Sequence, residues 1–460
     1  MRFLDREQEM GRLDGLKEAG GALGVVFGRR RVGKTRLLVE WVKRHRGLYF
    51  VADQSAAEVQ RSYFAETLAA RLPGFADVSY PDWRVLLTRL SREARAESWK
   101  GPLVLDELPY LVQSAPELPA VLQRWIDHEA QDLVIVLAGS SQHMMQGLVL
   151  DGGAPLYGRA SVLLDLPPLP ASLLGTAFGL RDPAACVAQL AAWGGIPRYW
   201  ELAAGLKGDV AERVDQLVLD PLGPLHREPD RLIIEEVPSA MEVRPVLDAI
   251  GGGAHRVSAI GSRLGRPATS MARPLQRLQG MGLVARDVPF GESEKSSRRG
   301  LYRISDPLTR LWFRLVAPHR GPLATASAKG RRQLFDRHWP GLAAVAWEDL
   351  CRQALPKLTT PEALREAGPW GPAHRWWRGQ EPEWDLVAAS LDGQAVLLGE
   401  VKLSGRRKHA ERLARLDPPP LPPKLRNKRI LRALFTVEPM KEKVPRGVLL
   451  VTAADILRET

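Results

Sequence analysis

The feature that most constrains the fold is an eight-residue loop between an apolar run and a helical run. The loop reads Gly-Arg-Arg-Arg-Val-Gly-Lys-Thr over residues 28–35 and opens an amphipathic stretch. Glycines let backbone N–H groups wrap a phosphate at a helix N-terminus, the lysine brings a cation, and the threonine hydroxyl binds Mg²⁺. A chance match is the alternative, and the flanking strand and helix argue against it. The predicted nucleotide-phosphate site comprises Gly28, Arg29, Arg30, Arg31, Val32, Gly33, Lys34 and Thr35.

Apolar runs alternate with helical spacing through the first 200 residues. Residues 83–96, for example, have the periodicity of an amphipathic helix. Strands that alternate with helices form a parallel sheet covered on both faces, so we expect an α/β fold of the P-loop NTPase type. Five runs are expected to be buried strands: residues 25–27, 48–52, 102–106, 133–139 and 161–166.

Two acids end the apolar run at residues 102–106. Asp106 and Glu107 would lie at the edge where open parallel sheets bind ligands. Such a pair often only begins a loop. Behind a complete phosphate loop, Asp106 is predicted to hold Mg²⁺ through water and Glu107 to polarise the attacking water.

Three further polar residues are candidates for contact with the γ-phosphate. Ser140 and Ser141 follow the run at 133–139, where either could touch the γ-phosphate or simply cap the next helix. Arg159 could be a charge sensor or a finger, and a structural salt bridge is the competing interpretation.

Charge and composition limit the partners. The chain has 65 basic and 53 acidic residues, a net charge of +12 that favours polyanions, although an arginine-rich bias with a solvated surface is equally consistent. Its two cysteines, far apart, form neither a disulfide framework nor a four-ligand zinc site. Neither a signal segment nor an apolar run of about 20 residues is present, so we expect a cytoplasmic protein without a membrane span.

Residues 255–287 read as helix, turn, helix. Met271, Leu275 and Leu278 would face the core, and Pro274 is tolerable only in a first helical turn. Strand-like runs then flank a long, flexible, basic loop at 291–300. This winged-helix pattern can place a helix in the major groove of DNA, and such modules on ATPases also serve as lids or protein contacts.

The C-terminal block contains two strand-like runs joined at Asp392 and Gly393, a strong hairpin signal. If these residues form the turn, Asp385 faces Glu400, and Lys402 lies on the same face. Two carboxylates with a lysine suit Mg²⁺-dependent phosphodiester cleavage. The alternative is a structural cluster in which Lys402 neutralises both acids. A helix is expected at 347–355, and the proline-rich run 417–424 is expected not to pack.

The N-terminal two hundred residues resemble the archaeal-type ATPase family, a branch of the STAND and AAA-like P-loop NTPases. The resemblance rests on FLDREQEM, GRRRVGKTRLL, VLDELPYL, GSS, PLYGR and GGIPRYW, in that order, and ISDPLTRLWFRLV extends it to about residue 316. It implies that Ser140 or Ser141 is the sensor and that Pro197 approaches the nucleotide base.

The C-terminal block resembles the PD-(D/E)xK nuclease superfamily through Asp385, Glu400 and Lys402. The resemblance implies that Glu348 is a helical metal-binding acid beside Asp385 and Glu400, and that KLSGRRKHAERLARL supplies a basic helix. Trp384 departs from the small or aliphatic residue usual before the metal aspartate, and the proline-rich run has no counterpart.

Together these features predict an ATPase core at 1–180, a helical lid at 181–238, a winged helix at 239–320 and a restriction-endonuclease-like α/β domain at 333–460. We expect ATP and Mg²⁺ as cofactors, DNA as a partner, and a possible homo-oligomer in the ATP state. The leading hypothesis is an ATPase that controls a DNA-cleaving domain. The alternative is an ATP-dependent switch that binds DNA or protein and cuts nothing.

Overall fold

The computed structural model describes residues 3–140, 142–236 and 240–459. Contacts divide the chain into two compact units. Of the described residues, the first unit contains those up to Leu169 together with Ile196–Arg198, and the second contains Pro170–Gly195 and those from Tyr199 onward. The sequence-based lid, winged-helix and C-terminal segments thus fall almost entirely within one unit, and their division into separate domains stays a prediction.

A five-stranded parallel sheet forms the centre of the first unit. Its order is β2–β3–β4–β1–β5, and every neighbouring pair is parallel. This confirms the predicted α/β fold. Strands β1, β3 and β4 are buried throughout, whereas β2 and β5 are only partly buried, because each has a single neighbour at the sheet's edge. The expectation of five buried strands is therefore wrong at both edges. The bounds are β1 Leu23–Phe27, β2 Leu48–Val51, β3 Leu103–Asp106, β4 Ile135–Gly139 and β5 Ala160–Asp165.

Helices cover both faces of this sheet. Alternating side chains of one strand enter different apolar clusters, Val25 in one and Val26 in the other. The helix at Trp83–Ala96 has the predicted bounds and begins after Asp82, whose side chain accepts a hydrogen bond from the Val85 N–H. The helices are α1 Glu7–Ala19, α2 Lys34–His45, α3 Ala57–Ala69, α4 Trp83–Ala96, α5 Leu108–Ser114, α6 Leu118–His128 and α7 Gln142–Met145.

The chain after β5 is mainly helical before its second large sheet. In chain order the helices are α8 Leu174–Phe178, α9 Pro183–Trp193, α10 Pro197–Ala204, α11 Val210–Val214, α12 Glu228–Glu236, α13 Ala240–Gly251, α14 Val257–Arg263, α15 Ala272–Gly280, α16 Pro307–Leu315, α17 Arg320–Thr325, α18 Ala328–Ala354, α19 Glu362–Ala367, α20 Arg407–Arg415 and α21 Ala453–Glu459. Helix α18 extends well beyond the helix predicted at 347–355, since Pro340 lies within it rather than ending it.

Helices α14 and α15 precede an antiparallel hairpin of strands β6 Val284–Asp287 and β7 Leu301–Ile304. Met271, Leu275 and Leu278 are buried as predicted, and Pro274 is the third residue of α15, within its first turn. Apolar residues at helical spacing therefore oriented this helix correctly.

The loop between β6 and β7 differs from the flexible tip that we expected. The Arg286 guanidinium donates hydrogen bonds to the carbonyls of Glu294 and Ser297, so the loop is fastened to its own strand. Arg299 pairs with Glu292, which neutralises one of the basic residues.

The second large sheet has the order β12–β11–β10–β9–β8, with parallel pairing from β10 to β12 and antiparallel pairing from β8 to β10. Helix α18 packs against β10. Leu421 of the proline-rich run is buried in the apolar cluster beside this sheet, so the run does pack although it forms no strand. The strands are β8 His374–Trp376, β9 Trp384–Ala389, β10 Ala395–Ser404, β11 Arg429–Glu438 and β12 Val448–Thr452.

Candidate functional site

The phosphate loop lies between β1 and α2. Gly28 and Gly33 have φ of +139° and +98°, which side chains rarely adopt. A Cβ at residue 28 would lie 2.8 Å from the Leu166 carbonyl oxygen, so glycine is required there. The Lys34 ammonium donates to the carbonyls of Gly28 at 2.7 Å and Arg29 at 3.0 Å, which holds it inside the loop.

Asp106 is the last residue of β3 and is almost wholly buried. Its carboxylate accepts three hydrogen bonds. Oδ2 accepts hydrogen bonds from Thr35 Oγ1 at 3.0 Å and Tyr49 Oη at 2.5 Å, and Oδ1 accepts from the Glu107 N–H at 2.8 Å. The predicted pair Thr35 and Asp106 therefore meet. Mg²⁺ prefers oxygen ligands of this hydroxyl and carboxylate type, so the donor set fits that ion.

Glu107 and Ser140 come together across the sheet edge. Strand β4 lies between β1 and β3, which places the residue after β4 beside the residue after β3. Ser140 Oγ donates to Glu107 Oε1 at 2.6 Å, and the Ser140 N–H is 3.4 Å from Oε2. Glu107 has φ of +54°, an uncommon conformation for a residue other than glycine that persists only where its surroundings hold it. The arrangement orients a carboxylate at the ligand edge of the sheet.

The remaining predicted residues of this unit divide into two cases. Pro197 lies against the phosphate loop, since a Cβ at Gly33 would be 3.8 Å from its Cγ. Arg159 instead forms a two-pronged ion pair with Asp127 of α6, at 2.8 and 2.9 Å. The structure thus contains the salt bridge that was the competing interpretation of Arg159. Ser141 lies outside the described residues.

Two residues near the loop escaped the sequence analysis. The hydroxyl of Tyr49, on the edge strand β2, binds Asp106, and burial together with the charge of Asp106 raises the pKa of Tyr49. Nothing in the sequence indicates that contact, because it depends on the order of the strands. Asp165 ends β5 and interacts electrostatically with Lys34. Asp165 could have been identified from the sequence as a candidate site residue, because it follows an apolar run at a strand end, as Asp106 does.

The acidic hairpin of the second unit has the predicted register. Val396 pairs with Ala389 and Gly399 with Leu386, so the next step places Glu400 opposite Asp385. The Lys402 ammonium lies 3.3 Å from Asp385 Oδ2 and 3.3 Å from Glu400 Oε1. The three side chains therefore converge on one face as predicted.

A backbone N–H and a further arginine also contact the carboxylates of this cluster. The Val401 N–H donates to Asp385 Oδ2 at 2.9 Å, and Arg412 of α20 lies 3.4 Å from Glu400 Oε1. The attraction of the two carboxylates raises the pKa of Lys402, outweighing its partial burial, which acts in the opposite direction. Two carboxylates are suitable Mg²⁺ ligands, and here a lysine already bridges them.

Glu348 approaches the cluster from helix α18. Burial, followed by the charge of Asp385, raises the pKa of Glu348. Arg352 stands between them, 3.5 Å from Glu348 Oε2 and donating to the Asp385 carbonyl at 3.0 Å. Among the described residues, no group of three or more His, Cys, Asp or Glu side chains is arranged to hold a metal ion. In this structure Lys402 lies between Asp385 and Glu400, and Arg352 contacts both Glu348 and the Asp385 carbonyl. Binding of a metal ion by these three acids stays a prediction.

Two families match parts of the chain. Residues 3–172 match a family described as an ATPase domain predominantly from Archaea. Residues 312–413, which include α18 and the acidic hairpin, match a family of archaeal and bacterial proteins of unknown function. ATPase function is supported for the first match, and the second brings no activity with it.

Individual relatives extend the comparison. The chain is 26% identical over 412 residues to the uncharacterized protein MJECL04 of Methanocaldococcus jannaschii, covering 87% of each. The Walker-type ATPase PABY2304 of Pyrococcus abyssi has 20% identity and a TM-score of 0.53, covering 68% of this chain and 96% of that one. The ORC2 protein of Aeropyrum pernix has 16% identity and a TM-score of 0.45, covering 73% and 94%. The similarity to the Pyrococcus ATPase shows a shared fold.

Two expectations outside the sites can be compared with the described residues. In that part of the chain, no helix is long and apolar enough to cross a membrane. Cys186 and Cys351 are both buried free thiols.

Proposed function

We propose that the ATPase domain uses its nucleotide state to control Mg²⁺-dependent cleavage of DNA by the acidic hairpin of the second unit. The observation that carries the cleavage half is the convergence of Asp385, Glu400 and Lys402 on one face, with Lys402 3.3 Å from each carboxylate. A bound divalent cation would supply Lewis-acid stabilisation of the developing phosphorane charge.

The phosphate loop and the adjoining strand ends supply the side chains for the proposed ATP hydrolysis. The Lys34 ammonium would exchange the carbonyls of Gly28 and Arg29 for phosphate oxygens, while the Thr35 hydroxyl and Asp106 carboxylate provide the oxygen ligands that Mg²⁺ prefers. Glu107, held by Ser140, would orient the lytic water and accept its proton. Contacts to the γ-phosphate exist only before hydrolysis, which is the physical basis of a two-state control.

In the acidic hairpin, Lys402 would orient or activate the attacking water, while Asp385 and Glu400 bind the cation. Helix α20 supports DNA as the substrate, because its exposed basic residues, such as Lys408 and Arg415, follow the hairpin directly. Exposed Arg273 and Gln276 of α15, in the winged-helix pattern, offer a second contact surface. The net charge of +12 favours either contact.

Plasmid nicking tests the proposal. We expect the full chain to nick supercoiled DNA with Mg²⁺ and with a dependence on ATP, and Asp385→Ala and Lys402→Ala to abolish nicking without changing ATP turnover. Glu366→Ala and Lys357→Ala remove exposed charges of the same signs from the same unit and should nick normally. Nicking by the Asp385 and Lys402 variants at the parental rate would contradict the assignment.

The second candidate is a switch that binds DNA and does not cut it. It is favoured by the neutralisation of Asp385 and Glu400 by Lys402 and Arg412, which leaves the hairpin charge-balanced without a metal. The absence of nicking with any nucleotide, together with ATP-dependent DNA binding, would select this candidate. Sizing with and without ATP tests the accompanying proposal that the ATP state forms a homo-oligomer.

A further inference from the structure

A cavity of about 410 Å³ lies within the second unit, away from the acidic hairpin. Strand β7 and helices α13, α16 and α18 contribute its walls. Leu301, Ile304 and Val345 supply apolar surface, and Arg310, Arg314 and Arg337 supply guanidinium groups. Its volume is within the roughly 300–1,000 Å³ typical of small-molecule sites.

Two of the arginines that line this cavity are already neutralised. Arg303 and Arg310 each donate to the buried carboxylate of Asp349 at 2.9 Å, and Arg303 also pairs with Asp287. Even so, Arg310 Nη1 is buried and has no hydrogen-bond partner among the described residues. A buried donor of this kind is costly unless an acceptor reaches it.

Arg375 also lines the cavity and pairs with Glu383 at 3.3 Å, whereas Arg314 and Arg337 carry uncompensated charge. Within residues 3–140, 142–236 and 240–459, Arg314 and Arg337 form no hydrogen bond or ion pair with a described side chain. Both also line an adjoining cavity of about 630 Å³ with His338 and His319. Burial and then the charge of Arg314, His319 and Arg337 lower the pKa of His338, which shows how closely the cationic groups are gathered.

We propose that this cavity binds a small phosphate-bearing ligand with a planar or apolar body, of the nucleotide class. The guanidinium groups of Arg314 and Arg337 match phosphate oxygens, and the apolar wall behind them accommodates a body that enters the cavity. A phosphodiester of duplex DNA would meet only the exposed arginines and would leave the apolar wall unused.

The test uses the full chain with Lys34→Ala, so that the phosphate loop does not capture the probe. Calorimetric titration with AMP, pyrophosphate and adenosine should give the tightest binding for AMP. Arg314→Ala combined with Arg337→Ala should weaken AMP by at least about tenfold. Lys329→Ala, an exposed cation on the same helix α18, should leave the affinity unchanged.

A steric pair makes the location specific. Gly341 lines the cavity, and a Cβ built on it would meet nothing within 4 Å. Gly341→Phe should therefore fill the cavity and abolish AMP binding, while Gly341→Ala should bind normally. Thermal unfolding checks that both variants are folded.

Three results would overturn the proposal. One is no binding of any probe up to about 10 mM, weaker than nearly all specific ligand sites. Another is unchanged AMP affinity in Gly341→Phe, which would place the probe elsewhere. The third is loss of DNA affinity with unchanged AMP affinity in the double arginine variant, which would assign these arginines to DNA.

Discussion

Asp349 and Glu348 are adjacent acids on helix α18, and their charges are expected to affect stability in opposite directions. Asp349 is buried, and three guanidinium groups surround it: Arg303 and Arg310 donate to Oδ2 at 2.9 Å, and Arg352 donates to Oδ1 at 2.7 Å. These bonds join the β6–β7 hairpin, α16 and α18 through one carboxylate. Removal of the charge from Asp349 should therefore loosen three elements together.

The size of the effect follows from this geometry. Asp349→Asn keeps the side-chain volume but leaves three guanidinium groups around a neutral amide. Removing one partner of a buried ion pair costs about 3–5 kcal/mol. At about 2 °C per kcal/mol for a unit of this size, Tm should fall by roughly 6–10 °C.

The pH dependence has a definite sign. Burial alone would raise the pKa of Asp349, but Arg303, Arg310 and Arg352 outweigh it and the pKa is lowered. The folded state thus binds its proton later than the unfolded state as the pH falls, so the stabilisation is complete above the unfolded pKa and is lost below it. The Tm difference between the parent and Asp349→Asn should be full at pH 7 and shrink below about pH 3.9.

Glu348→Gln is the matched control. Burial and the charge of Asp385 raise the pKa of Glu348, so its ionised form is penalised in the folded protein. The neutral glutamine should therefore leave Tm at pH 7 unchanged or higher. Differential scanning calorimetry of the full-length parent and both variants provides the measurement. Equal Tm values for Asp349→Asn and the parent, or a larger fall in Glu348→Gln, would refute the assignment of opposite roles.

Three further variants test the ATPase domain. Ser140→Ala removes the donor that orients Glu107, so ATP turnover should fall by about ten- to a hundredfold. This loss is smaller than the roughly 10²–10⁴-fold contribution of a general base, and ATP affinity measured by equilibrium dialysis should stay the same. Turnover at the parental rate would show that the contact is dispensable. Arg159→Ala and Asp127→Ala should each lower the free energy of unfolding, measured with urea, by no more than about 1 kcal/mol and leave ATP turnover normal. A turnover loss of about a thousandfold in Arg159→Ala alone would instead indicate that Arg159 is a catalytic arginine finger. Gly28→Ala should abolish ATP binding because of its φ of +139° and the carbonyl oxygen 2.8 Å from the added Cβ, and retained binding would contradict that reasoning.

Local sequence patterns were sufficient to predict the structure wherever a few neighbouring residues determine the geometry. The phosphate loop was recognisable because its glycines, lysine and threonine act within eight residues between a strand and a helix. Helix α15 was oriented correctly from three apolar residues, since helical periodicity determines which face is buried. The acidic hairpin was placed in register because a two-residue turn and the alternation of side chains leave one pairing.

Errors arose where neighbours distant in sequence decide the outcome. Strands β2 and β5 have apolar runs like the central strands, but an edge position leaves them partly exposed. Leu421 is buried although prolines surround it, because the neighbouring sheet offers an apolar surface. Arg159 was a candidate arginine finger in the sequence, but in the structure it forms an ion pair with Asp127 of α6.

The amino-acid order therefore specifies the phosphate loop, the fold class and the hairpin that carries Asp385 and Glu400, because turn chemistry and side-chain periodicity act over a few residues. The partners of those groups are settled only when the chain packs. Tyr49 reaches Asp106, and Ser140 reaches Glu107, because the sheet adopts one strand order among several that the same runs allow. Strand order depends on burial summed over the whole unit, which no local segment encodes.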